Sequence, residues 1–271
     1  MGGRSSKPSP ENATAAVKGE THAAITGENK NDHTTQLTAP ITATTPPAGL
    51  GAPDDWSVVI AKLEQLESRL DAAENQLNVN RVRRSLQEKQ VLTFTMKKVP
   101  TEYYSLSLAE RAKILQAASV SQLCKTIVLE NTLWEDDGSK ALDLSNARYV
   151  ALVLQYEAKM DTEELASKIH LLRPTDRRIS RRKFKFQLAP EAVSDVMTGF
   201  IHNAVAPIGL RTPIPLVVCQ RCLDVSPPFL FLGGGEVDMK LGISTSDLMR
   251  ATGAQSLGYV STARGAAEND E

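Results

Sequence analysis

Residues 149–156 read Tyr-Val-Ala-Leu-Val-Leu-Gln-Tyr, and this stretch decides the class of fold. Within it, 150–154 is apolar without alternation, which is typical of a β-strand covered on both faces. The acidic segment Asp-Thr-Glu-Glu at 161–164 indicates the first turn of a helix soon afterwards. The stretch and its surroundings predict an α+β (mixed α/β) fold, in which peripheral helices surround a mixed sheet.

Short strands and helices alternate on both sides of this stretch. Gly199 and Gly253 suit the position that follows the last turn of a helix, since glycine adopts the left-handed backbone easily. Residues 91–96 fit either the end of a long helix or a first strand. The predicted strands cover 126–130, 149–156, 216–219, 229–232 and 239–243. The predicted helices cover 108–118, a segment starting at 161, 190–197 and a segment starting at 246.

Both ends of the chain are predicted to be disordered. Residues 1–55 contain no Phe, Trp or Tyr and are rich in Ala, Thr, Pro, Gly and Asn. Such a segment cannot bury enough apolar surface to offset the entropy of ordering. The predicted organisation is therefore a tail at 1–55, a helix at 56–90, a globular domain at 91–263 and a disordered end at 264–271.

The chain begins Met-Gly-Gly-Arg-Ser-Ser-Lys, which fits the acceptor pattern for N-myristoylation of Gly2. The alternative is an unmodified start that is simply rich in small residues. One myristoyl chain binds membranes weakly and reversibly. The three cysteines, the absence of a secretory signal and the lack of a bilayer-spanning run predict a cytoplasmic protein. Gly2 is a candidate weak membrane anchor.

The predicted helix at 56–90 carries apolar side chains at a 4-3-4-3-4 spacing, typical of the a/d seam of a coiled coil. The seam consists of Val59, Leu63, Leu66, Leu70, Ala73 and Leu77. Because a short helix of this kind is marginal alone, we expect a homodimer or docking to another protein. The alternative is an amphipathic helix folded back on its own domain.

The sequence contains few residues suited to nucleophilic catalysis or to metal binding. Two of the four histidines lie in 1–55, which leaves His170 and His202 for the fold. His170 follows an apolar helical stretch and is expected to be structural, whereas His202 is a candidate site residue. Cys219 and Cys222 have the spacing of half a zinc site without a second pair. We therefore expect no metal and no cofactor.

Four segments together resemble the YbaK and prolyl-tRNA-synthetase-associated (ProX-type) editing family. Residues 124–129 (Cys-Lys-Thr-Ile-Val-Leu) resemble its lysine-bearing strand, and 149–165 resemble its second strand and following helix. Residues 198–209 are similar to a glycine-containing loop that ends in Ser-Pro-x-Gly, and 231–248 resemble the terminal hairpin and helix. Two departures occur in the loop: Asn203-Ala204 replaces a common glycine pair, and Ala206 stands where Ser precedes the proline.

The resemblance implies a YbaK-like curved sheet and hydrolysis in trans of the ester of mischarged aminoacyl-tRNA. An aminoacyl ester is already reactive, so a site need only orient water and stabilise the oxyanion. Lys125 is implied to point into the pocket. The other candidate site residues belong to loops whose backbone amides could approach the ester; they are Gly199, His202, Asn203, Gly233 and Gly234. The alternative is a non-catalytic tRNA-binding or scaffold subunit of an aminoacyl-tRNA synthetase assembly, docked through the predicted coiled coil.

A cluster of cations, interrupted by the single acid Asp176, is typical of a phosphate-binding surface. Its members are Arg173, Arg177, Arg178, Arg181, Arg182, Lys183 and Lys185. We expect them to contact the tRNA backbone, because cations packed so densely repel one another unless an anion is near. A solvated helix face is the alternative. Phe184 and Phe186, which lie among the cations, are expected in the core.

Overall fold

The computed structural model describes residues 56–138 and 142–263 of the 271-residue chain. The predictions for Gly2, for a disordered tail at 1–55 and for a disordered end at 264–271 fall outside the described residues. Within the described ranges, no helix has the length and apolar character needed to cross a membrane.

Strands of the described residues form three sheets of four, three and two strands. Numbered along the chain, they are β1 Phe94–Lys98, β2 Cys124–Asn131, β3 Tyr149–Gln155, β4 Ala158–Met160, β5 Phe186–Leu188, β6 Leu216–Val218, β7 Phe229–Gly233, β8 Met239–Ser244 and β9 Ser261–Ala263. The helices are α1 Trp56–Glu88, α2 Leu108–Leu115, α3 Thr162–Leu172, α4 Glu191–Thr198, α5 Gln220–Leu223 and α6 Thr245–Thr252. This architecture confirms the prediction of a mixed α/β fold.

The four-stranded sheet has the order β5-β2-β3-β6. Strand β2 runs antiparallel to β3 and β5, whereas β3 runs parallel to β6. Every residue of 150–155 in β3 is buried, as expected for an apolar run without alternation. The sequence interpretation of this stretch as a strand covered on both faces is confirmed.

The three-stranded sheet has the order β1-β8-β7, with antiparallel pairing throughout. An isolated bridge between Leu123 and Phe231 joins it to the four-stranded sheet. Because Leu123 immediately precedes β2, the bridge holds the start of β2 against β7. This junction matters for the site, since Lys125 and Gly233 lie on these two strands.

Local hydrogen bonds fix the ends of several helices. The Asp161 carboxylate accepts from the backbone N–H of Glu164 at 2.9 Å and caps α3. Helices α4 and α6 end as predicted at Gly199 (φ +70°) and Gly253 (φ +64°), both in the left-handed region that glycine adopts without strain.

Helix α1 contributes to the core only through its last turns. Val79, Val82 and Leu86 are buried, and Arg81 stacks its guanidinium 4.3 Å from the ring centre of Phe200. The Arg250 guanidinium donates to the carbonyl of Lys89 at 2.8 Å and so holds the end of the helix. The residues of the predicted a/d seam make none of these contacts. They lie exposed along the earlier turns of α1.

Four strands differ from the sequence predictions or are missing from them. Residues 91–96 contain both a connection and the start of β1, so the alternative of a first strand holds from Phe94 onward. Strands β4, β5 and β9 have three residues each, too few to show a period of two in the sequence. They exist because distant strands pair with them.

Candidate functional site

A cavity of about 910 Å³ lies where the start of α2, strand β2, the start of α4 and the loop after α4 meet. Its volume falls within the range of small-molecule sites, about 300–1,000 Å³. Of the predicted site residues, Lys125, His202, Asn203 and Gly233 line this cavity. The structure therefore brings together four residues that come from three separate segments of the sequence.

Lys125 lies on β2, opposite Leu154 of β3. Side chains alternate along a strand, and Lys125 and Ile127 are half-buried whereas Cys124 is buried in the core. The Lys125 ammonium lies 5.7 Å from the ring centre of Tyr156, within cation–π distance. Strand geometry thus positions a cation at the cavity wall.

An arginine surrounded by tyrosines forms a second part of the wall. The Arg111 guanidinium of α2 lies 5.3 Å from the ring centre of Tyr104 and 5.8 Å from that of Tyr156. It also donates to the carbonyl of Leu106 at 2.8 Å. Burial raises the pKa of Tyr156. Arg111 and the rings form a rigid support beside Lys125.

A buried lysine connects this support to the loop after α4. Lys240 of β8 is 4% exposed, donates to the Tyr104 hydroxyl, and donates to the carbonyl of Val237 at 3.1 Å. The Tyr104 hydroxyl in turn donates to the backbone carbonyl of Asn203 at 2.6 Å. Burial, assisted by the charge of Arg111, lowers the pKa of Lys240 to about 7. The chain of contacts ties a core cation to the cavity loop.

Four residues of this site, Tyr104, Arg111, Tyr156 and Lys240, are not among the site residues predicted from the sequence. The only available signal was the aromatic pair at 103–104, which has no distinctive spacing. Lys240 is 136 positions from Tyr104 along the chain, so only the packing of β8 against 101–105 makes them neighbours.

The loop after α4 owes its position to close backbone approach. Asn203 adopts a left-handed conformation (φ +65°), which Asn tolerates better than most residues. A Cβ atom on Gly233 would lie 2.3 Å from the carbonyl oxygen of Val205. Gly233 is thus required for β7 to approach the loop. His202 is exposed at the cavity mouth.

Gly199 and Gly234 do not line this cavity. Gly199 ends α4, and a Cβ there would lie 2.8 Å from a terminal nitrogen of Arg81; a Cβ on Gly234 would lie 2.9 Å from the carbonyl oxygen of Met239. Gly199 is explained by its left-handed backbone conformation and Gly234 by the close approach of the Met239 backbone.

Several loop amides expected to face the ester already donate within the protein. The N–H of Gly199 donates to the Asp195 carbonyl at 2.7 Å, that of Ala204 to Ile201 at 3.0 Å, and that of Gly234 to Met239 at 3.0 Å. These hydrogen bonds close helix α4, the loop and the β7–β8 hairpin. The amides of Gly199 and Gly234 are thus already bonded within the protein, and their role at a site stays a prediction.

Two carboxylates of α4, Glu191 and Asp195, also line the cavity. Burial raises the pKa of Asp195, the negative charge of Glu191 adds to this, and His202 opposes it. The cavity thus has a cationic wall at Lys125 and Arg111 and an acidic wall on α4.

Four of the seven cations of the predicted basic cluster form ion pairs, three of them with acids from other parts of the chain. Arg173 is 4% exposed, pairs with Asp137 at 2.6 Å and donates to the carbonyl of Ser145 at 3.0 Å. Arg181 pairs with Glu163 at 2.8 Å. Further pairs join Arg177 to Asp176 and Lys183 to Glu135. Arg173 is thus a core residue and cannot contact phosphate in this conformation.

Five cations of the cluster are exposed, and three of these five are outside the ion pairs just described: Arg178, Arg182 and Lys185. Over 56–138 and 142–263, no carboxylate forms an ion pair with any of them. Phe184 and Phe186 are buried, which confirms their prediction as core residues.

The remaining histidine and cysteines belong to the core. His170 shares a hydrogen bond of 2.8 Å with the Ile179 carbonyl and packs edge-on against Phe184, so its prediction as structural is confirmed. The Sγ atoms of Cys124 and Cys222 are 3.7 Å apart as free thiols. Among the described residues, no cluster of His, Cys, Asp and Glu could hold a metal ion.

No protein-family model matches the chain, and no curated protein matches its sequence. Among solved structures, a scaffold protein from computational epitope grafting is 16% identical with a TM-score of 0.51, covering 69% of this chain and 97% of its own. A candidate trans-editing enzyme for prolyl tRNA synthetase is 18% identical with a TM-score of 0.49, and the match covers 66% of this chain and 94% of that one. A hypothetical protein is 22% identical with a TM-score of 0.48, and the match covers 67% of this chain and 99% of that one. The first likeness shows that the chain shares the fold of a known mixed α/β domain.

Proposed function

We propose that this protein hydrolyses the ester bond of mischarged aminoacyl-tRNA in trans, with the terminal aminoacyl-adenosine bound in the cavity beside Lys125. The observation that carries the proposal is the convergence of Lys125, Asn203 and Gly233 on one cavity of about 910 Å³. These residues lie in the segments whose sequence resembles the editing family. The segments that resemble the editing family thus meet at one cavity, which supports the proposal.

The acidic wall supports an aminoacyl substrate in particular. An aminoacyl ester carries an α-ammonium group at neutral pH, and Glu191 and Asp195 supply negative charge on one side of the cavity. Lys125 and Arg111, which line the same cavity, would supply positive charge for the ester oxygen. Charges of both signs in one cavity would orient a substrate of this polarity.

In the proposed reaction, water attacks the ester carbonyl carbon and the Lys125 ammonium stabilises the oxyanion that forms. The bond between the carbonyl carbon and the ribose oxygen then breaks, and the ribose oxygen takes up the proton released by the attacking water. The products are a free amino acid and a tRNA with its terminal hydroxyl restored. A preorganised cation in a sheltered site contributes most of the barrier reduction in such reactions.

The tRNA body would contact Arg178, Arg182 and Lys185, which are exposed and have no ion-pair partner among the described residues. The other four cations of 173–185 are held in ion pairs. The proposed electrostatic contact is therefore smaller than the composition of the segment suggests.

The test is to incubate the purified full chain with a panel of tRNAs mischarged with amino acids of different size and charge, and to follow ester loss. We expect faster hydrolysis than in buffer for a subset of the panel. Hydrolysis in no case, combined with measurable tRNA binding, would favour the scaffold alternative. Neither hydrolysis nor binding would refute both.

A further inference from the structure

One face of α1 exposes a continuous apolar stripe that the rest of the described residues, 89–138 and 142–263, leave uncovered. The exposed fraction of its large side chains ranges from 36% for Val59 to 68% for Leu70 and Leu77. The stripe consists of Trp56, Val59, Leu63, Leu66, Leu70 and Leu77, with the small Ala73 between the last two. Contiguous exposed apolar surface of this kind marks an interaction site.

The stripe lies on a different face of the helix from the one that packs on the domain. When Leu63 and Leu70 occupy heptad position a and Leu66 occupies position d, the buried Val82 and Leu86 fall at f and c. These positions point away from an a/d seam. The domain contact and the seam can therefore be occupied at the same time.

Charges beside the stripe specify what can cover it. Lys62 and Arg69 occupy position g, and Glu67 and Glu74 occupy position e. In a parallel pair of helices, position g of one helix faces the following position e of the other. Lys62 would then face Glu67 of a second copy, and Arg69 would face its Glu74. In an antiparallel pair g faces g and e faces e, which would bring like charges together.

We propose that two copies of this chain associate through α1 as a parallel, in-register coiled coil over 56–77. The apolar stripe supplies the driving force, and the g and e charges select a second copy in parallel orientation. The seam ends at Asn80 and Arg84, which place polar groups at the next d and a positions. The coiled coil stops where α1 begins to pack on its own domain. This association does not depend on the proposed activity.

Sedimentation of the full chain and of charge variants tests the pairing. Variant one carries Lys62→Glu and Arg69→Glu, and variant two carries Glu67→Lys and Glu74→Lys. Each alone places like charges at every g–e contact, so each is expected to sediment as a monomer where the unmodified chain is a dimer. An equimolar mixture restores opposite charges at every contact and is expected to form a heterodimer. A variant that fails to fold would not recover assembly in the mixture. Misfolding can therefore be distinguished from the loss of a matched charge pair.

Glu64→Lys is the control. Glu64 occupies position b, which lies outside the a/d seam and its flanking e and g positions, so this substitution should leave the dimer intact. A monomeric unmodified chain, a trimer, or a mixture that stays monomeric would overturn the proposal. Charge variants that dimerise as well as the unmodified chain would also overturn it.

Disulfide trapping tests the orientation. Trp56→Cys places two thiols side by side in a parallel pair, whereas an antiparallel pair over 56–77 would separate them by about 31 Å at 1.5 Å per residue. The native cysteines are buried, so the unmodified chain should give no cross-link. Ser68→Cys at position f is the matched exposed control. Cross-linking at 68 as rapid as at 56, or a dimer without cross-linking at 56, would contradict a parallel pair.

Discussion

Two groups of cations in this protein have opposite surroundings. Around the cavity, Arg111, Lys125 and Lys240 lie against tyrosine rings, and each lies within 6 Å of at least one ring centre. In the segment 173–185, four of the seven cations form ion pairs, three of them with carboxylates that come from elsewhere in the chain. Lys125 and Arg111 line a cavity in which a ligand could reach them, whereas Lys240 and Arg173 are buried. The density of cations along the sequence therefore does not indicate which of them can meet a ligand.

The largest expected effect is on activity at the cavity. Lys125→Ala should lower the turnover number about 100-fold or more, the size found when a transition-state charge donor is removed, while changing the free energy of unfolding by less than about 1 kcal/mol. Steady-state deacylation kinetics and urea unfolding measure the two quantities. Lys113→Ala on the exposed side of α2 is the matched control. Full activity in Lys125→Ala would remove this cation from the mechanism.

The second effect is on stability within the basic segment. Arg173→Ala removes a buried ion pair and hydrogen bonds to two backbone carbonyls, so it should destabilise the fold by about 2–4 kcal/mol. The exposed Arg182→Ala should change stability by less than about 0.5 kcal/mol. Urea unfolding compares the two. Equal stability of both variants would contradict the structural role of Arg173.

The third effect depends on pH and concerns Lys240, which belongs to the cavity group but is buried. Its pKa is lowered to about 7 by burial, whereas in the unfolded chain the amine keeps its ordinary pKa of about 10.4. Between these values unfolding takes up a proton, so raising the pH stabilises the fold by about 1 kcal/mol per pH unit. Below about pH 7 the amine is protonated in both states and the dependence vanishes.

Lys240→Met should abolish this contribution. The measurement is the difference in free energy of unfolding between the two proteins at several pH values from about 6 to about 9. Groups common to both proteins cancel in this difference. Parallel stability curves over the whole range would show that Lys240 titrates normally in the folded protein.

The smallest expected effect separates two adjacent arginines. Arg182 is exposed without an ion-pair partner among the described residues, whereas Arg181 is paired with Glu163. If Arg182 contacts a tRNA phosphate, Arg182→Ala should reduce the slope of log affinity against log salt by about 0.7–0.9. Arg181→Ala should leave the slope nearly unchanged. Identical slopes in the parent and both variants would show that the segment makes no phosphate contact.

Much of the fold follows from short-range patterns in the sequence. The strand at 149–155 is readable because five consecutive apolar residues must be covered, and the ends of α4 and α6 are readable because glycine suits a left-handed position. Lys125 was identified through its segment's resemblance to a family, and its place on a strand followed from the same segment. These features depend on residues that lie close to one another in the sequence.

Tertiary structure alone decided the electrostatics. Whether a cation is free, neutralised or deprotonated depends on groups within a few ångströms, and in this protein those groups come from distant segments. Asp137 reaches Arg173 across 36 positions, and Tyr104 reaches Lys240 across 136. The sequence determined which residues carry charge and which local structures they occupy. Packing determined which of those charges face the cavity and which are cancelled, because Coulomb interactions depend on distance in space and not on separation along the chain.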